Sequence, residues 1–323
     1  MFDNTFHISP TFATILHFAG QHKQRPIPTR WYHDPDASLS FPETPEEPIM
    51  ENTHDSYEWE QAILSYKEWD HPFSLWLKKY YDQPQQTVIL SHLIAKHLQA
   101  CESFGAQFVT IADPAHYPES LRHLPNPPFG FSYLGELPHP NSLSIAIIGS
   151  RRASQFALEQ SYRLGELISQ RMKHICVVSG GAYGCDIAAH KGCLAYDKDP
   201  CQTSVVFAGG LGCLYPAGNL GVFSQVIRHG GSLISEKFWF TPPKPYDFPI
   251  RNRLISGLSE KIIVIHATLK SGAMSTCHHA LDQGKEIYAL CPPGNDVTMD
   301  GNQQLIDDGA HMFFSVDELL WNL

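Results

Sequence analysis

The residues best suited to chemistry fall in six short segments between positions 149 and 272. They are Gly149-Ser150-Arg151-Arg152, Ser179-Gly180-Gly181-Ala182-Tyr183-Gly184-Cys185-Asp186, and Gly209-Gly210-Leu211-Gly212 with the nearby Tyr215-Pro216. Ser235-Glu236-Lys237, Phe248-Pro249-Ile250-Arg251-Asn252-Arg253 and Lys270-Ser271-Gly272 complete the set. Glycine lets the backbone turn sharply and leaves the following N–H groups pointing outward, while arginine offers a planar fork that matches phosphate. Four of the six segments carry a Lys or Arg. That chemistry is the binding of several phosphates. One such loop is an ordinary α/β turn; six in succession are poorly explained that way.

Bond-breaking chemistry is less well supported. Ser150 and Ser179 lack the G-x-S-x-G setting of a hydrolase nucleophile, and Asp186 with His190 at helical spacing suits capping and packing. No G-x-G-x-x-G follows Ile148, so the dinucleotide fingerprint is missing. The histidines, 18 in all, are scattered, and the eight cysteines contain no C-x-x-C pair. No metal and no cofactor is expected.

These loops need elements to hold them. Ile145-Ala146-Ile147-Ile148 reads as a strand buried on both faces, ending at Gly149. Beyond it the pattern alternates. Strands are expected at 175–178, 204–208, 232–234, 262–265, 287–290 and 311–314. Helices are expected at 153–171, 185–196, 219–229, 272–282, 303–308 and 316–321, with a helical turn at 253–258. Such alternation implies an α/β doubly wound, mostly parallel sheet, whose ligands lie at the carboxyl ends of the strands. A further strand is expected at 108–111.

Residues 1–104 have another character. Prolines at 26, 28, 35, 42, 45 and 48 make 25–50 an extended strap. Helices are expected within 1–24, 57–81 and 87–104, forming a small helical N-terminal domain before a 105–323 domain. Charge divides in the same way. Residues 1–140 hold 8 Lys and Arg against 17 Asp and Glu, whereas 141–323 hold 15 against 16. The formal net charge of −10 is therefore set by the first part, and loop cations in the second can still meet a polyanion. No signal sequence or membrane span is evident, so a cytoplasmic protein is expected.

The ordered motifs resemble one family. Ile147-Ile-Gly-Ser-Arg151, Ser179-Gly-x-Ala-x-Gly-x-Asp186-x-x-Ala-His190, Tyr215-Pro216…Asn219, Gly231-x-x-x-Ser-Glu236 and Phe248-Pro-x-Arg-Asn-Arg253 occur in the order typical of the DprA/Smf (DNA-processing protein A) family. Ser271-Gly272, Pro293-Gly294 and Gly301-x-x-x-Leu-Ile306-x-x-Gly-Ala310 continue it. The resemblance covers residues 105–323, and residues 1–104 look like a divergent form of the helical, SAM-like domain that often precedes them.

The resemblance implies an extended Rossmann-like fold and a non-enzymatic, single-stranded DNA-binding recombination mediator of natural transformation. Such a protein protects incoming DNA and helps load RecA recombinase, usually as a homodimer. It implies that Arg151 pairs with a phosphate and that the backbone at Gly149-Ser150 and Ser179-Gly180 cradles the strand. Lys237, Arg251 and Arg253 would extend the positive surface, Phe248 would stack on a base or pack beneath the loop, and Asn252, Ser271 and Gly272 complete the expected DNA-binding set. Arg152 is expected to be a solvated residue at a helix start. Leu305, Ile306 and Met312 are placed at a dimer surface. The sequence departs from the family pattern at His266, where an acidic residue is usual, and at Ala217, where a basic one is common, and no C-terminal winged helix is expected. The competing reading is a phosphoribohydrolase-like nucleotide enzyme on a related fold, but Lys270-Ser-Gly-Ala-Met-Ser-Thr276 lacks the glutamate such enzymes carry.

Overall fold

The computed structural model describes residues 96–320, apart from 112, 114, 129, 173, 197–201 and 295. The helices expected within 1–24 and 57–81, the strap at 25–50 and the start of the 87–104 helix lie outside the described residues. Helix α1 runs through 96–104. After it come β1 (Gln107–Thr110), α2 (Glu119–Arg122), β2 (Gly130–Gly135), β3 (Leu143–Gly149), α3 (Gln155–Arg171), β4 (Ile175–Ser179), α4 (Cys185–Cys193) and β5 (Gln202–Val206). The chain continues through α5 (Leu220–Arg228), β6 (Ser232–Ser235), α6 (Asp247–Gly257), β7 (Lys261–His266), α7 (Gly272–Asp282) and β8 (Glu286–Leu290). It closes with α8 (Asp300–Asp307), β9 (His311–Phe313) and α9 (Val316–Leu319).

The strands form one nine-stranded sheet in the order β1-β2-β6-β5-β4-β3-β7-β8-β9. From β3 to β9 neighbours are parallel, and so is β5 to β6. Only β1–β2 and β2–β6 are antiparallel, so the doubly wound, mostly parallel α/β sheet is present with an antiparallel extension at one edge. The chain winds outward from β3 to β6 on one side and from β7 to β9 on the other. The reversal falls between β3 and β7, whose carboxyl ends therefore leave a crevice between diverging loops.

Alternation along β3 divides the core. Ile145 and Ile147 join Leu164, Leu167 and Ile168 of α3 and Ala189 of α4 on one face. Ala146 and Ile148 join Leu254 and Ile255 of α6 and Ala273 and Cys277 of α7 on the other. Both faces of the central strand are thus covered by helices, the condition for an all-apolar strand. A third cluster, around Phe223 and Trp239, takes in Ala100 and Cys101 of α1. Phe104 stacks on Trp239 at 5.1 Å, and the Trp239 backbone N–H donates to His97 Nδ1 at 3.0 Å. Helix α1 is therefore fastened to the sheet unit.

Two elements differ from sequence expectation. The helical turn expected at 253–258 is an eleven-residue helix that begins at Asp247. Pro249 lies in its first turn, where the missing N–H has no intrahelical partner to lose and the fixed φ suits the helix. The Phe248–Arg253 motif is consequently the opening of α6 and does not precede it. Residues 130–135, between proline-rich turns, form strand β2, pairing with β1 and β6. Among the residues expected at a dimer surface, Leu305 is a core residue and Ile306 packs against that core, while Met312 on edge strand β9 is 48% exposed. Among the described residues no helix is long and apolar enough to cross a membrane.

Candidate nucleic-acid interface

A cleft of about 930 Å³ opens at the β3–β7 divergence, lined from several loops at once. Gly149 ends β3 and Ser150, Arg151 and Arg152 follow it, Ala182 and Asp186 follow β4, and Tyr215 follows β5. Phe248, Arg251 and Asn252 come from the start of α6, and Ser271 and Gly272 from the start of α7. Lys237, Ser179, Gly180 and Arg253 are not among its lining residues.

The floor of the cleft is a buried polar scaffold. Ser179 Oγ donates to the Ile147 carbonyl at 2.7 Å, fixing β4 against β3. Asp186, at the start of α4, is buried, and burial raises its carboxyl to about 6. Arg251 and backbone hydrogen bonds from Ala182, Gly180 and Gly149 pull the other way, favouring the carboxylate. One carboxyl thereby ties together the loops after β3 and β4 and helix α6. Arg251 is only 5% exposed and donates to the carbonyls of Gly180 (3.2 Å) and Val206 and to Asn252 Oδ1 (3.3 Å). Burial draws its guanidinium down to about 10, Asp186 offsets part of that, and the nearby Arg151 adds to it. The side chain remains a cation at neutral pH. Asn252 Nδ2 in turn donates to the Gly272 carbonyl at 3.2 Å, linking α6 to the start of α7.

Two glycines are required by this close packing. A Cβ on Gly180 would lie 2.7 Å from Arg251 Nη2 and 2.9 Å from Asp186 Oδ2, so any side chain there would push the arginine out of place. Gly184 has φ +86, and a Cβ there would collide with the Ser150 carbonyl.

The mouth is open and cationic. Arg151 and Arg152 are both exposed. The Arg151 guanidinium lies over the Phe248 ring, 4.7 Å from its centroid, and Arg251 approaches the same ring at 6.0 Å. Phe248 meets Tyr215 edge-on at 6.0 Å. The Oγ atoms of Ser150, beside Arg151 in the chain, and of Ser271, the N-cap of α7, are buried and have no hydrogen-bond partner among the described residues. Unsatisfied hydroxyls beside a guanidinium and a helix N-terminus form a donor set for an anion, since each costs free energy until something accepts from it.

The other predicted cations are engaged elsewhere. Arg253 forms a two-pronged ion pair with Glu236, at 2.6 and 3.0 Å, and donates to the Asn126 carbonyl at 3.1 Å. Lys237 pairs with the buried Asp247 at 2.7 Å. Arg152, expected to be a solvated residue at a helix start, is exposed and also lines the cleft beside Arg151. His190 does not form a pair with Asp186. Its Nδ1 is 2.8 Å from Thr203 Oγ1, which donates to the Val177 carbonyl, so Nδ1 carries the proton. Burial lowers this ring to about 3 and keeps it neutral. Sequence reasoning did not single out Tyr183, whose signal was a large aromatic inside a run of small loop residues.

A doubly wound sheet with an arginine-lined cleft at its topological switch point defines the class of the protein: a Rossmann-like α/β protein. The particular family follows from comparison with known proteins. A family model described as DNA recombination-mediator protein A matches residues 107–323. The chain belongs to that family. It is 34% identical over 214 residues to Protein Smf of Escherichia coli, covering 66% of this chain and 55% of the relative. It is 35% identical over 212 residues to Protein Smf of Borreliella burgdorferi, covering 65% of each chain. The chain thus spans a little over half to about two thirds of the length of these curated relatives. Among solved structures, DNA processing protein A from Streptococcus pneumoniae matches with TM-score 0.62 and 27% identity, over 74% of this chain and 81% of that one. The protein of the same name from Helicobacter pylori, whose structure concerns its single-stranded DNA binding mode, matches with TM-score 0.57 and 28% identity, over 67% of this chain and 95% of that one.

Proposed function

We propose that this protein is a single-stranded DNA-binding recombination mediator that holds the phosphate backbone in the β3–β7 cleft and performs no chemistry on it. The observation that carries the proposal is the exposed Arg151 over Phe248 at the cleft mouth, with the buried hydroxyls of the lining residues Ser150 and Ser271 lacking a partner among the described residues. The Helicobacter pylori relative binds single-stranded DNA, and the family is one of recombination mediators, which favours a strand over a free nucleotide. Gly149, Ser150, Arg151, Ser271 and Gly272 supply phosphate contacts, Arg152 adds charge, and Phe248 offers an apolar face. Ser179, Gly180, Arg251 and Asn252 act beneath them as scaffold. Lys237 and Arg253 contribute only long-range potential, since each is paired with a carboxylate.

A non-enzymatic role is supported by the condition of the polar groups. His190 is neutral, buried and bonded to Thr203, so it is not poised to move a proton to a ligand, and Asp186 is engaged by backbone amides and Arg251. The proposal extends to the setting the family resemblance implies: a cytoplasmic homodimer that protects incoming DNA during natural transformation and helps load RecA. An interface at the β9 edge would use Met312 directly, and Leu305 only by supporting it.

The test is a fluorescence-anisotropy titration with single- and double-stranded oligonucleotides of one sequence. The parent should prefer the single strand, and Arg151→Glu should bind at least about 30-fold more weakly, since a charge-assisted contact is lost and a repulsion gained. Equal binding by parent and Arg151→Glu removes the cleft from the account.

A further inference from the structure

Two tyrosines beside the cleft are explained neither by folding nor by phosphate binding. Tyr183 is 48% exposed and Tyr215 is 49% exposed, and neither belongs to a core cluster. Neither hydroxyl has a hydrogen bond among the described residues. Both rings border a narrow recess that opens off the cleft beside Arg151 and Phe248 and reaches down to Gly180 and Arg251. The fold makes room for one of them in particular. A Cβ on Gly218 would lie 2.7 Å from the Tyr183 hydroxyl, so the bare glycine in the turn at 217–219 is what lets that ring stand where it does.

We propose that Tyr215 and Tyr183 form a stacking platform for the nucleobase next to the phosphate held at Arg151. The inference rests on reading the cleft as a single-stranded DNA site. The groups are ordered as a nucleotide is. Arg151 stands over Phe248, and Phe248 meets Tyr215 edge-on, so a cation for the phosphate is followed by π surfaces for the base. The recess itself measures about 20 Å³, room for a single water, so a base lies across its mouth and does not enter it. Contact through ring faces alone reads no base edge, and the platform is therefore tolerant of sequence. Half-exposed aromatic rings cost little to cover, because each can shed hydration against a base without breaking an internal hydrogen bond.

The experiment compares a thymidine oligonucleotide with an abasic sugar-phosphate oligomer of equal length, using the whole chain. Tyr215→Leu, which keeps apolar bulk and loses the ring, should bind the thymidine strand about tenfold more weakly with an unchanged salt slope. Tyr183→Leu should give a smaller loss, about fivefold. Tyr215→Phe should match the parent, and all variants should bind the abasic strand equally. If both leucine variants bind thymidine like the parent while Arg151→Ala is weakened, the platform is refuted and the phosphate site stands. If the parent binds neither strand, the phosphate site and the platform both fall.

Discussion

Arg151 and Arg251 approach the same phenylalanine from two sides, yet they do different work. Arg251 is buried, its donors are given to Gly180, Val206 and Asn252, and its charge is matched by Asp186. Arg151 is exposed, touches the ring face, and has no ion pair among the described residues. The floor of the cleft is therefore a closed polar network, and the mouth presents an exposed guanidinium. A loop arginine in an α/β crevice binds a ligand only if the fold has not already used its hydrogen bonds. Preorganisation by the first arginine leaves the second free to bind.

The largest expected effect falls on the floor. Arg251→Ala should destabilise the fold by about 3–5 kcal/mol, because it leaves Asp186 buried without its partner and two carbonyls without donors. Chemical denaturation measures this. Lysine should not rescue it, since a point charge cannot reproduce the fork. A variant as stable as the parent would show that the floor is not a scaffold.

A pH effect of moderate size follows from two buried histidines. Burial lowers His190 to about 3 and His97 to about 4, below the ordinary 6.5. The unfolded chain binds these protons below pH 6.5, and the folded protein does not until far lower. Their contribution to stability is therefore present above pH 6.5 and is lost as pH falls through that value toward about 4 for His97 and about 3 for His190. The raised carboxyl of Asp186 acts in the opposite sense between about 4 and 6, so the test must be a difference. Thermal melts at pH 7 and pH 5 should show a smaller acid loss in His190→Gln than in the parent. An equal loss in both would mean that His190 is not held neutral.

The smallest effects on binding belong to the paired cations. Arg253→Ala should change single-strand affinity by less than about twofold while lowering stability by about 1.5–3 kcal/mol, as its largely buried ion pair with Glu236 is lost. Lys237→Ala should behave in the same way through Asp247. A large loss of affinity in either would bring it into the site and blur the contrast between floor and mouth.

How much of this was legible in the sequence differs from residue to residue. Strand β3 was plain, because a run of four apolar residues ending in glycine has few other uses in an alternating pattern. The loops it introduced were found for the same reason. The start of α6 was hidden by Pro249, which reads as a breaker although the first helical turn accepts it. Strand β2 was hidden by flanking prolines and by antiparallel pairing, which lies outside the strand-helix rhythm. The separate fates of Arg151, Arg251 and Arg253 were not legible at all. Burial and partner choice are set by tertiary contacts with Asp186, Gly180 and Glu236, and three arginines in glycine-rich or proline-marked loops look alike in one dimension. Tyr183 was visible but mute until Gly218 was seen to make room for it.

The measurement that bears most directly on the contrast is the salt dependence of single-strand binding for the parent, Arg151→Ala and Arg253→Ala. Each phosphate contact releases condensed counterions and steepens the slope of log affinity against log salt. The slope for Arg151→Ala should be shallower by about one contact, with affinity lowered roughly 10- to 100-fold, while Arg253→Ala runs parallel to the parent. If Arg151→Ala superimposes on the parent and Arg253→Ala is the variant that flattens, the strand lies along the surface of Arg253 and not in the cleft.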